Sequence, residues 1–143
     1  MDLNEKKRIL ILCTGNSCRS PMAEAFAHEA GWDSYSAGIK PEAEVSPFAV
    51  KVMAEIGIDI SYHKPQSISE YQNKKFFVVA TVCNNAREAC PVFTISSKHQ
   101  IHHLFIDPAD TTGNDKEITQ VYRQVRNEIQ RWVNTISGDY IIN

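Results

Sequence analysis

The residues most able to do chemistry lie in one short segment, between an apolar run and a helical pattern. The segment reads Cys13-Thr14-Gly15-Asn16-Ser17-Cys18-Arg19-Ser20-Pro21. The run before it, residues 8–12, is Arg8 followed by four unbroken apolar residues, which is typical of a buried parallel strand. Cys13 therefore lies at the carboxyl end of a strand, where open α/β sheets bind ligands. The loop can aim backbone N–H groups and a helix N-terminus at one anion, which predicts a tetrahedral oxyanion site around a nucleophilic cysteine.

Each residue of this loop has a predicted part in holding the anion. Seven residues make up the predicted oxyanion-binding set: Thr14, Gly15, Asn16, Ser17, Cys18, Arg19 and Ser20. The planar guanidinium of Arg19 can hold two oxygens of one anion and absorb charge that develops in a transition state. Together with the helix N-terminus, its charge predicts a pKa for Cys13 well below the free value of about 8.5, and hence a thiolate at neutral pH.

Five smaller side chains of the loop allow more than one interpretation. Gly15 and Asn16 suit positions that need a positive φ or close approach of another backbone. The hydroxyls of Ser17 and Ser20 can stabilise the thiolate or the leaving group, or can simply cap the following helix. Cys18 is interpreted as a small loop residue that could trap the nucleophile in a disulfide on oxidation.

The elements that must position the loop alternate along the chain without a linker or a repeat. This alternation predicts an α/β fold, a single three-layer domain over residues 1–143 with a four-stranded parallel sheet flanked by helices. The predicted strands cover residues 8–12, 34–38, 76–82 and 101–106. The predicted helices follow the first strand, run from Ser46 to about Gly57 with Val50, Met53 and Ala54 inward, and run from Ile118 to Gly138.

Composition and charge limit the class of protein. The 143 residues are 43% hydrophobic, enough for one core, and the net charge of −2 leaves no basic excess for nucleic acid. No apolar run approaches the roughly 20 residues of a membrane span, and residues 1–7 lack a signal peptide's apolar centre. We therefore expect a cytoplasmic protein, acting as a monomer, whose four cysteines are reactive or metal-binding rather than structural bridges.

A second cysteine follows a second strand. Cys83 comes directly after the apolar run 76–82, so it is predicted at the same edge of the sheet as Cys13 and within reach of an intermediate formed there. Cys90 lies seven positions further on. If residues 84–89 are helical, the rise of about 1.5 Å per residue separates the two Cα atoms by roughly 10 Å, beyond the approximately 6.8 Å that a disulfide spans. A bond between them requires this marginal helix to loop out.

A carboxylate is predicted at a third strand end. Asp107 follows residues 104–106, which are apolar and strand-like. Partial desolvation there would keep its proton available for general acid catalysis. The alternative is an Asp that only caps the turn before Pro108.

Five segments of the chain together resemble a known family. They are Cys13 to Ser20, Tyr35 to Ile39, Cys83 to Pro91, Asp107-Pro108-Ala109 and residues 123–129. This set is similar to the thioredoxin-coupled arsenate reductases, which are built on the low-molecular-weight tyrosine phosphatase fold. The likeness covers nearly the whole chain, and the added cysteine pair makes it more specific than the Cys-x5-Arg loop alone.

The resemblance implies reduction of arsenate to arsenite, as in arsenical resistance, through a redox-active relay of three cysteines. In that relay Cys13 attacks arsenate while Asp107 protonates the departing oxygen. Cys83 then attacks Cys13 and releases arsenite, and Cys90 attacks Cys83. The resemblance further implies that thioredoxin, the expected partner and reductant, reduces the resulting disulfide, and that no cofactor is tightly bound.

A monovalent cation beside the loop is a further property of many relatives, held by Asn, Glu, Ser and Asp. Asn16, Glu24 and Ser36 match that set, but Gln66 stands where the Asp is expected. The sequence therefore predicts no metal, with at most a weak cation site at the three matching residues.

The histidines are interpreted as structural rather than chemical. His99, His102 and His103 lack a matching cysteine or carboxylate spacing, so a loop is favoured over a metal site. His63 and Lys64 could supply positive charge near the cation position, but a solvated surface is favoured for both.

Other classes of protein compete with the reductase. A tyrosine phosphatase, hydrolysing phosphomonoesters through a Cys13 phosphocysteine, would also use Arg19 and Asp107, but Ala109 and Asp110 offer no aromatic ring to grip a phenol. A zinc module needs tighter cysteine pairs, and a nucleotide P-loop needs a Gly-Lys-Ser/Thr that is missing here. A non-catalytic thiol sensor that uses the same disulfides stays open.

Overall fold

The computed structural model describes residues 7–82 and 95–140. Within these residues lie four strands: β1 (Arg8–Cys13), β2 (Asp33–Gly38), β3 (Phe76–Thr81) and β4 (Ser97–His102). The same two stretches hold the α-helices α1 (Arg19–Glu29), α2 (Pro47–Ala54) and α3 (Asp115–Asp139), and short 3₁₀ helices at Ile68–Tyr71 and Pro108–Asp110. Cys83, Cys90 and the helix predicted between them lie outside the described residues. In the described part of the chain, no helix is long and apolar enough to cross a membrane.

The four described strands form one parallel sheet in the order β2-β1-β3-β4, which confirms the predicted α/β fold. The apolar run in β1 reflects its central position, since it has a neighbour on each side and all its residues from Ile9 to Leu12 are fully buried. The register pairs Cys13 with Gly38 and Leu12 with Thr81. The carboxyl ends of β1, β2 and β3 therefore meet at one edge of the sheet.

The three helices share one hydrophobic cluster on one face of the sheet. α1 contributes Met22 and Phe26, and α3 contributes an apolar stripe at helical spacing, as predicted. On the other face a smaller cluster forms around the first 3₁₀ helix, with the buried members Leu10, Leu12, Ala37, Ile68, Phe76, Val79 and Ile95. The two clusters pack on opposite faces of the sheet and so fix the position of the edge from which the loop begins.

Helix α2 begins at the predicted position, but its buried face differs from the predicted one. Ser46 caps it, since its hydroxyl accepts from the backbone N–H of Ala49 at 3.4 Å, and Pro47 occupies the first turn. The buried face is Ala49, Val52 and Met53. The prediction that Ala54 points inward is wrong, because Ala54 ends the helix and is exposed.

Strand β4 lies earlier in the chain than the predicted strand 101–106. Its residues 97–100 are polar and mostly exposed, which suits an edge strand that pairs with β3 alone among the described strands. In the irregular stretch after it, Phe105 is buried, whereas Leu104 and Ile106 are 58% and 57% exposed. The prediction was wrong because the apolar composition of this stretch resembled a strand that does not form.

Candidate active site

The oxyanion loop, residues 13–20, joins β1 to α1, and two of its polar groups contact the sulfur of Cys13. The hydroxyl of Ser20 lies 2.8 Å from Cys13 Sγ, and the backbone N–H of Asn16 donates to the same sulfur at 3.2 Å. Cys13, Asn16 and Ser20 are all buried. The capping alternative for Ser20 is wrong, since Cys18 is the N-cap of α1 and makes no side-chain cap bond.

The pKa of Cys13 is shifted in the direction opposite to the predicted one. Burial raises the pKa of this thiol, and the Ser20 hydroxyl, the Arg19 charge and the Asn16 N–H oppose the rise without cancelling it. The prediction of a lowered pKa considered only the stabilising groups and left out the loss of water. Removing a thiolate from water costs free energy, so these groups work against desolvation.

Arg19 ties the loop to two other parts of the site. Its guanidinium donates to the carbonyls of Val82 and Phe105 and to the carboxylate of Asp107, each at 3.3 Å. The side chain is almost fully buried, yet its Nε has no hydrogen-bond partner. A buried N–H without an acceptor is rare and costly. Because the guanidinium of Arg19 is positively charged, the acceptor that best suits its Nε–H group is an anionic oxygen.

Asp107 is brought to the loop as predicted, although it does not end a strand. One carboxylate oxygen pairs with Arg19, and the other lies 3.5 Å from Cys18 Sγ. That second oxygen also accepts from the N–H of Ala109 at 3.0 Å and caps the short 3₁₀ helix. The capping alternative for Asp107 is therefore confirmed, and the same carboxylate also has enough lone pairs for the ion pair with Arg19. Its role as general acid stays a prediction. Burial first, and then the Asp107 charge, raise the pKa of Cys18.

Asn16 holds the inner side of the loop. Its φ is +52°, which confirms the positive φ expected at this position. Its amide nitrogen donates to the hydroxyls of Ser20 and Ser36, and its amide oxygen accepts from the N–H of Gln66. Gly38 allows this packing, because a Cβ there would lie 2.7 Å from the Thr14 carbonyl oxygen.

The wall segment, residues 39–46, runs along the outer side of the oxyanion loop. Four of its backbone N–H groups donate to loop carbonyls, the pairs being Ile39 to Cys13, Lys40 to Thr14, Glu42 to Gly15 and Ser46 to Ser17. Gly15 is needed for close approach, since a Cβ there would meet Glu42 Cγ at 2.9 Å. The contact between the wall segment and the oxyanion loop was not predicted from the sequence. The glycine at position 15 was the one residue that indicated it.

Comparison with known proteins identifies the family. The sequence profile of the low molecular weight phosphotyrosine protein phosphatases matches residues 8–139. The chain belongs to that family. It is 45% identical over 135 residues to an arsenate reductase of Halalkalibacterium halodurans, covering 92% of this chain and 96% of the relative. It is 41% identical over 128 residues to an arsenate reductase of Bacillus subtilis, covering 87% and 90%.

Solved structures agree with this assignment. An arsenate reductase in the phosphate binding state superimposes with a TM-score of 0.79 at 27% identity, covering 96% of this chain and 99% of the other. The fold of the low molecular weight phosphatase family is therefore shared along nearly the whole chain. The resemblance of five segments of the sequence had implied this fold, and the alternation of short strands and helices had predicted its α/β class.

The three residues predicted as a weak cation site are joined to one another by hydrogen bonds. The Ser36 hydroxyl donates to Glu24 at 2.6 Å and accepts from Asn16. Burial raises the pKa of Glu24. The Asn16 amide oxygen accepts from the N–H of Gln66, so hydrogen bonds connect all three residues that the sequence matched to a cation site and extend to the position where an Asp was expected.

His63 is part of the site in this member of the family, which corrects the expectation of a solvated side chain. Its Nε2 lies 3.2 Å from both the backbone and the side-chain oxygen of Asn16. Burial lowers the pKa of His63 and the bond to Asn16 opposes that shift, so the fold favours the neutral ring at this position. Lys64 is exposed, as expected.

The histidines of β4 contact neighbouring residues of the sheet and of the end of helix α3. His99 and His102 lie on β4 rather than in the predicted loop. The His99 ring contacts Phe77 and Tyr140, and His102 Nδ1 lies 2.6 Å from the Thr81 hydroxyl. Within residues 7–82 and 95–140, no three His, Cys, Asp or Glu side chains are grouped to hold a metal ion.

Proposed function

We propose that the protein is an arsenate reductase that uses Cys13 as its nucleophile. One observation carries this proposal: a chain 45% identical to an arsenate reductase brings Cys13, Arg19 and Asp107 together around a buried donor without a partner. The free Nε of Arg19 and the backbone N–H groups of the loop would bind the oxyanion. Arsenate would supply the negatively charged acceptor that the Nε of Arg19 lacks in this structure.

The first half of the proposed reaction takes place at the loop. Cys13 loses its proton, helped by the Ser20 hydroxyl and the Arg19 charge, and its sulfur attacks arsenic. Asp107 takes up the proton that Cys13 releases and gives it to the departing hydroxyl of arsenate, which leaves as water. Its carboxylate is held at the side of the loop by the ion pair with Arg19.

The second half passes two electrons to arsenic through the other thiols. Cys83 attacks the sulfur of Cys13, a disulfide forms between them, and arsenic leaves as arsenite with the electron pair of the broken S–As bond. Cys90 then attacks Cys83, which frees Cys13 and leaves a Cys83–Cys90 disulfide. The dithiol of thioredoxin reduces that disulfide and becomes oxidised. In support, Val82, the residue before Cys83, has its carbonyl bonded to Arg19.

The relay is tested by coupling arsenate reduction to NADPH oxidation through thioredoxin and thioredoxin reductase. We expect Cys83→Ser and Cys90→Ser to lose this oxidation, while any hydrolysis of p-nitrophenyl phosphate survives in both. Cys13→Ser is the control that loses both activities. If Cys83→Ser and Cys90→Ser turned over arsenate as the parent does, the relay would be wrong.

A phosphatase is the second candidate, favoured by the family to which the chain belongs. In that case Cys13 forms a phosphocysteine, Asp107 protonates the ester oxygen, and water completes hydrolysis. The same experiment separates the two, because a phosphatase needs neither Cys83 nor Cys90. A high rate of ester hydrolysis without arsenate-dependent oxidation would favour it.

A further inference from the structure

Backbone hydrogen bonds from the wall segment fix the direction of three peptide groups of the oxyanion loop. The carbonyls of Thr14, Gly15 and Ser17 accept from wall N–H groups at 2.8 to 2.9 Å. Because each peptide of the loop is trans and planar, its N–H points opposite to its carbonyl. The N–H groups that follow these carbonyls, those of Gly15, Asn16 and Cys18, therefore point away from the wall.

The peptide between Gly15 and Asn16 shows this arrangement directly. Its carbonyl accepts from the N–H of Glu42, and its own N–H donates to Cys13 Sγ at 3.2 Å. Asn16 is in the left-handed region, and successive N–H groups in such a turn form a concavity that binds anions. The buried Nε of Arg19, which has no hydrogen-bond partner, independently indicates an anionic ligand for the same loop.

A loop peptide without its wall contact would be free to turn over. Its carbonyl oxygen, which carries partial negative charge, would then face the anion, and a donor would be replaced by a repelling group. The wall itself is restricted in conformation, because Pro41 lies directly before Glu42 and Pro47 directly after Ser46, and each proline ring fixes φ. The wall therefore supplies donors from a backbone that has little freedom of its own.

We propose that Glu42 and Ser46 are positioning residues of the oxyanion loop. Through their backbone N–H groups they turn the N–H groups of Asn16 and Cys18 towards the bound anion, and so set the affinity of the loop for it. The inference rests on the proposed function, because arsenate would be that anion. It assigns to the wall segment a role that depends on its backbone rather than on its side chains.

Position 46 allows one backbone donor to be deleted by substitution. The φ of Ser46 is −61°, which is the value that a proline ring imposes, so Ser46→Pro removes the N–H and keeps φ. The matched reference is Ser46→Ala, which also loses the hydroxyl bonded to Ala49 and Tyr122 but keeps the N–H. Thermal unfolding establishes that both variants are folded.

The measured quantity is the Kd of inorganic phosphate at the loop. Phosphate bound there should protect Cys13 from iodoacetamide, and the concentration that halves the alkylation rate gives the Kd. Mass spectrometry of the peptide that contains Cys13 distinguishes this thiol from the other cysteines.

We expect phosphate to bind about tenfold more weakly to Ser46→Pro than to Ser46→Ala, because one hydrogen bond to a charged group loses its orientation. The inference is overturned if the two folded variants bind phosphate with the same Kd.

A backbone ester at residue 42 is the second variant, and it decides the matter if Ser46→Pro does not fold. Made by semisynthesis, it replaces the nitrogen of Glu42 by oxygen and so deletes the N–H while keeping the side chain. We expect about tenfold weaker phosphate binding and a Cys13 alkylation midpoint at higher pH than in the parent, since the Asn16 N–H bonds the sulfur. Ser46→Pro should move this midpoint less, because it acts on the peptide before Cys18. A backbone ester that leaves both the Kd and the midpoint unchanged would overturn the inference.

These outcomes are distinguishable from a failure of the reductase proposal. Neither measurement uses arsenate, thioredoxin or the thiols at 83 and 90. If phosphate did not protect Cys13 in the parent, the oxyanion site itself would fail, and with it both proposals. If the Kd values changed as expected and the parent reduced no arsenate, the proposed function would fail while the role of the wall segment stood.

Discussion

The two segments that carry the nucleophile and the carboxylate are built in different ways. β1 runs without a break into the oxyanion loop, and the loop runs directly into α1, so Cys13 is held by a strand and a helix at once. β4 ends at His102, and an irregular stretch separates it from Asp107. Within residues 7–82 and 95–140, Asp107 is joined to the loop by its ion pair with Arg19 and its contact with Cys18.

The difference shows which contacts position each group. The nucleophile is placed by backbone geometry, which many residues determine together. The carboxylate is placed by one buried arginine, which also bonds the carbonyl of Phe105 just before it. A substitution at Arg19 should therefore disturb both halves of the site, whereas a substitution at Asp107 or Ser20 should disturb one.

The largest expected effect is that of Arg19→Lys. Lysine keeps the positive charge but cannot reproduce the planar fork that bonds Val82, Phe105 and Asp107. We expect kcat/KM for arsenate reduction to fall about 10³-fold. Thermal unfolding of the same variant is the control for loss of structure. A loss below tenfold in a folded variant would show that the charge of residue 19 is enough to join Asp107 to the oxyanion loop, without the geometry of the guanidinium.

A smaller effect is expected for Asp107→Asn. The amide keeps the shape of the side chain and an oxygen for the Ala109 N–H, but it has no acidic proton to give. We expect kcat for arsenate reduction to fall about 10²-fold with little change in the inhibition constant of phosphate. Asp115→Asn, at the start of α3, is the control and should behave as the parent. An unchanged kcat in Asp107→Asn would leave the carboxylate with the capping role alone.

The smallest effect concerns Ser20→Ala and the pKa of Cys13. Only the thiolate reacts with iodoacetamide, and burial raises the pKa of Cys13, so the parent's alkylation rate should increase with pH beyond neutrality. Loss of the Ser20 hydroxyl removes a group that lowers this pKa. The midpoint should therefore move to higher pH, and the rate at pH 7 should fall about fivefold. Ser17→Ala, on the same loop, should keep the parent's profile, and a plateau below pH 7 in the parent would contradict the raised pKa.

The parts of the site that are local in sequence were predictable, and those made by distant contacts were not. Residues 8–21 contain the strand, loop and helix start in one continuous pattern, so Cys13 and Arg19 could be placed from the sequence. His63 contacts Asn16 from 47 positions away. No local pattern encodes such a contact, so His63 was assigned to the surface.

The misplaced strand has a different physical reason. Residues 97–100 are polar because one side of an edge strand is exposed to solvent. The apolar residues that follow them match the usual composition of a strand more closely. The burial of the Cys13 thiol was also not predicted. A sequence shows which groups stabilise a thiolate, but the cost of desolvation depends on what the fold packs around it.

The free Nε of Arg19 has a consequence for the stability of the whole protein. The oxyanion pocket is assembled from three separate stretches of chain, so it exists only in the folded state. An anion that binds there shifts the unfolding equilibrium by mass action, by about 2.7 kcal/mol at a free concentration one hundred times its Kd. Phosphate or sulfate in a storage buffer should therefore raise the melting temperature of this protein, and that rise reports site occupancy without any turnover.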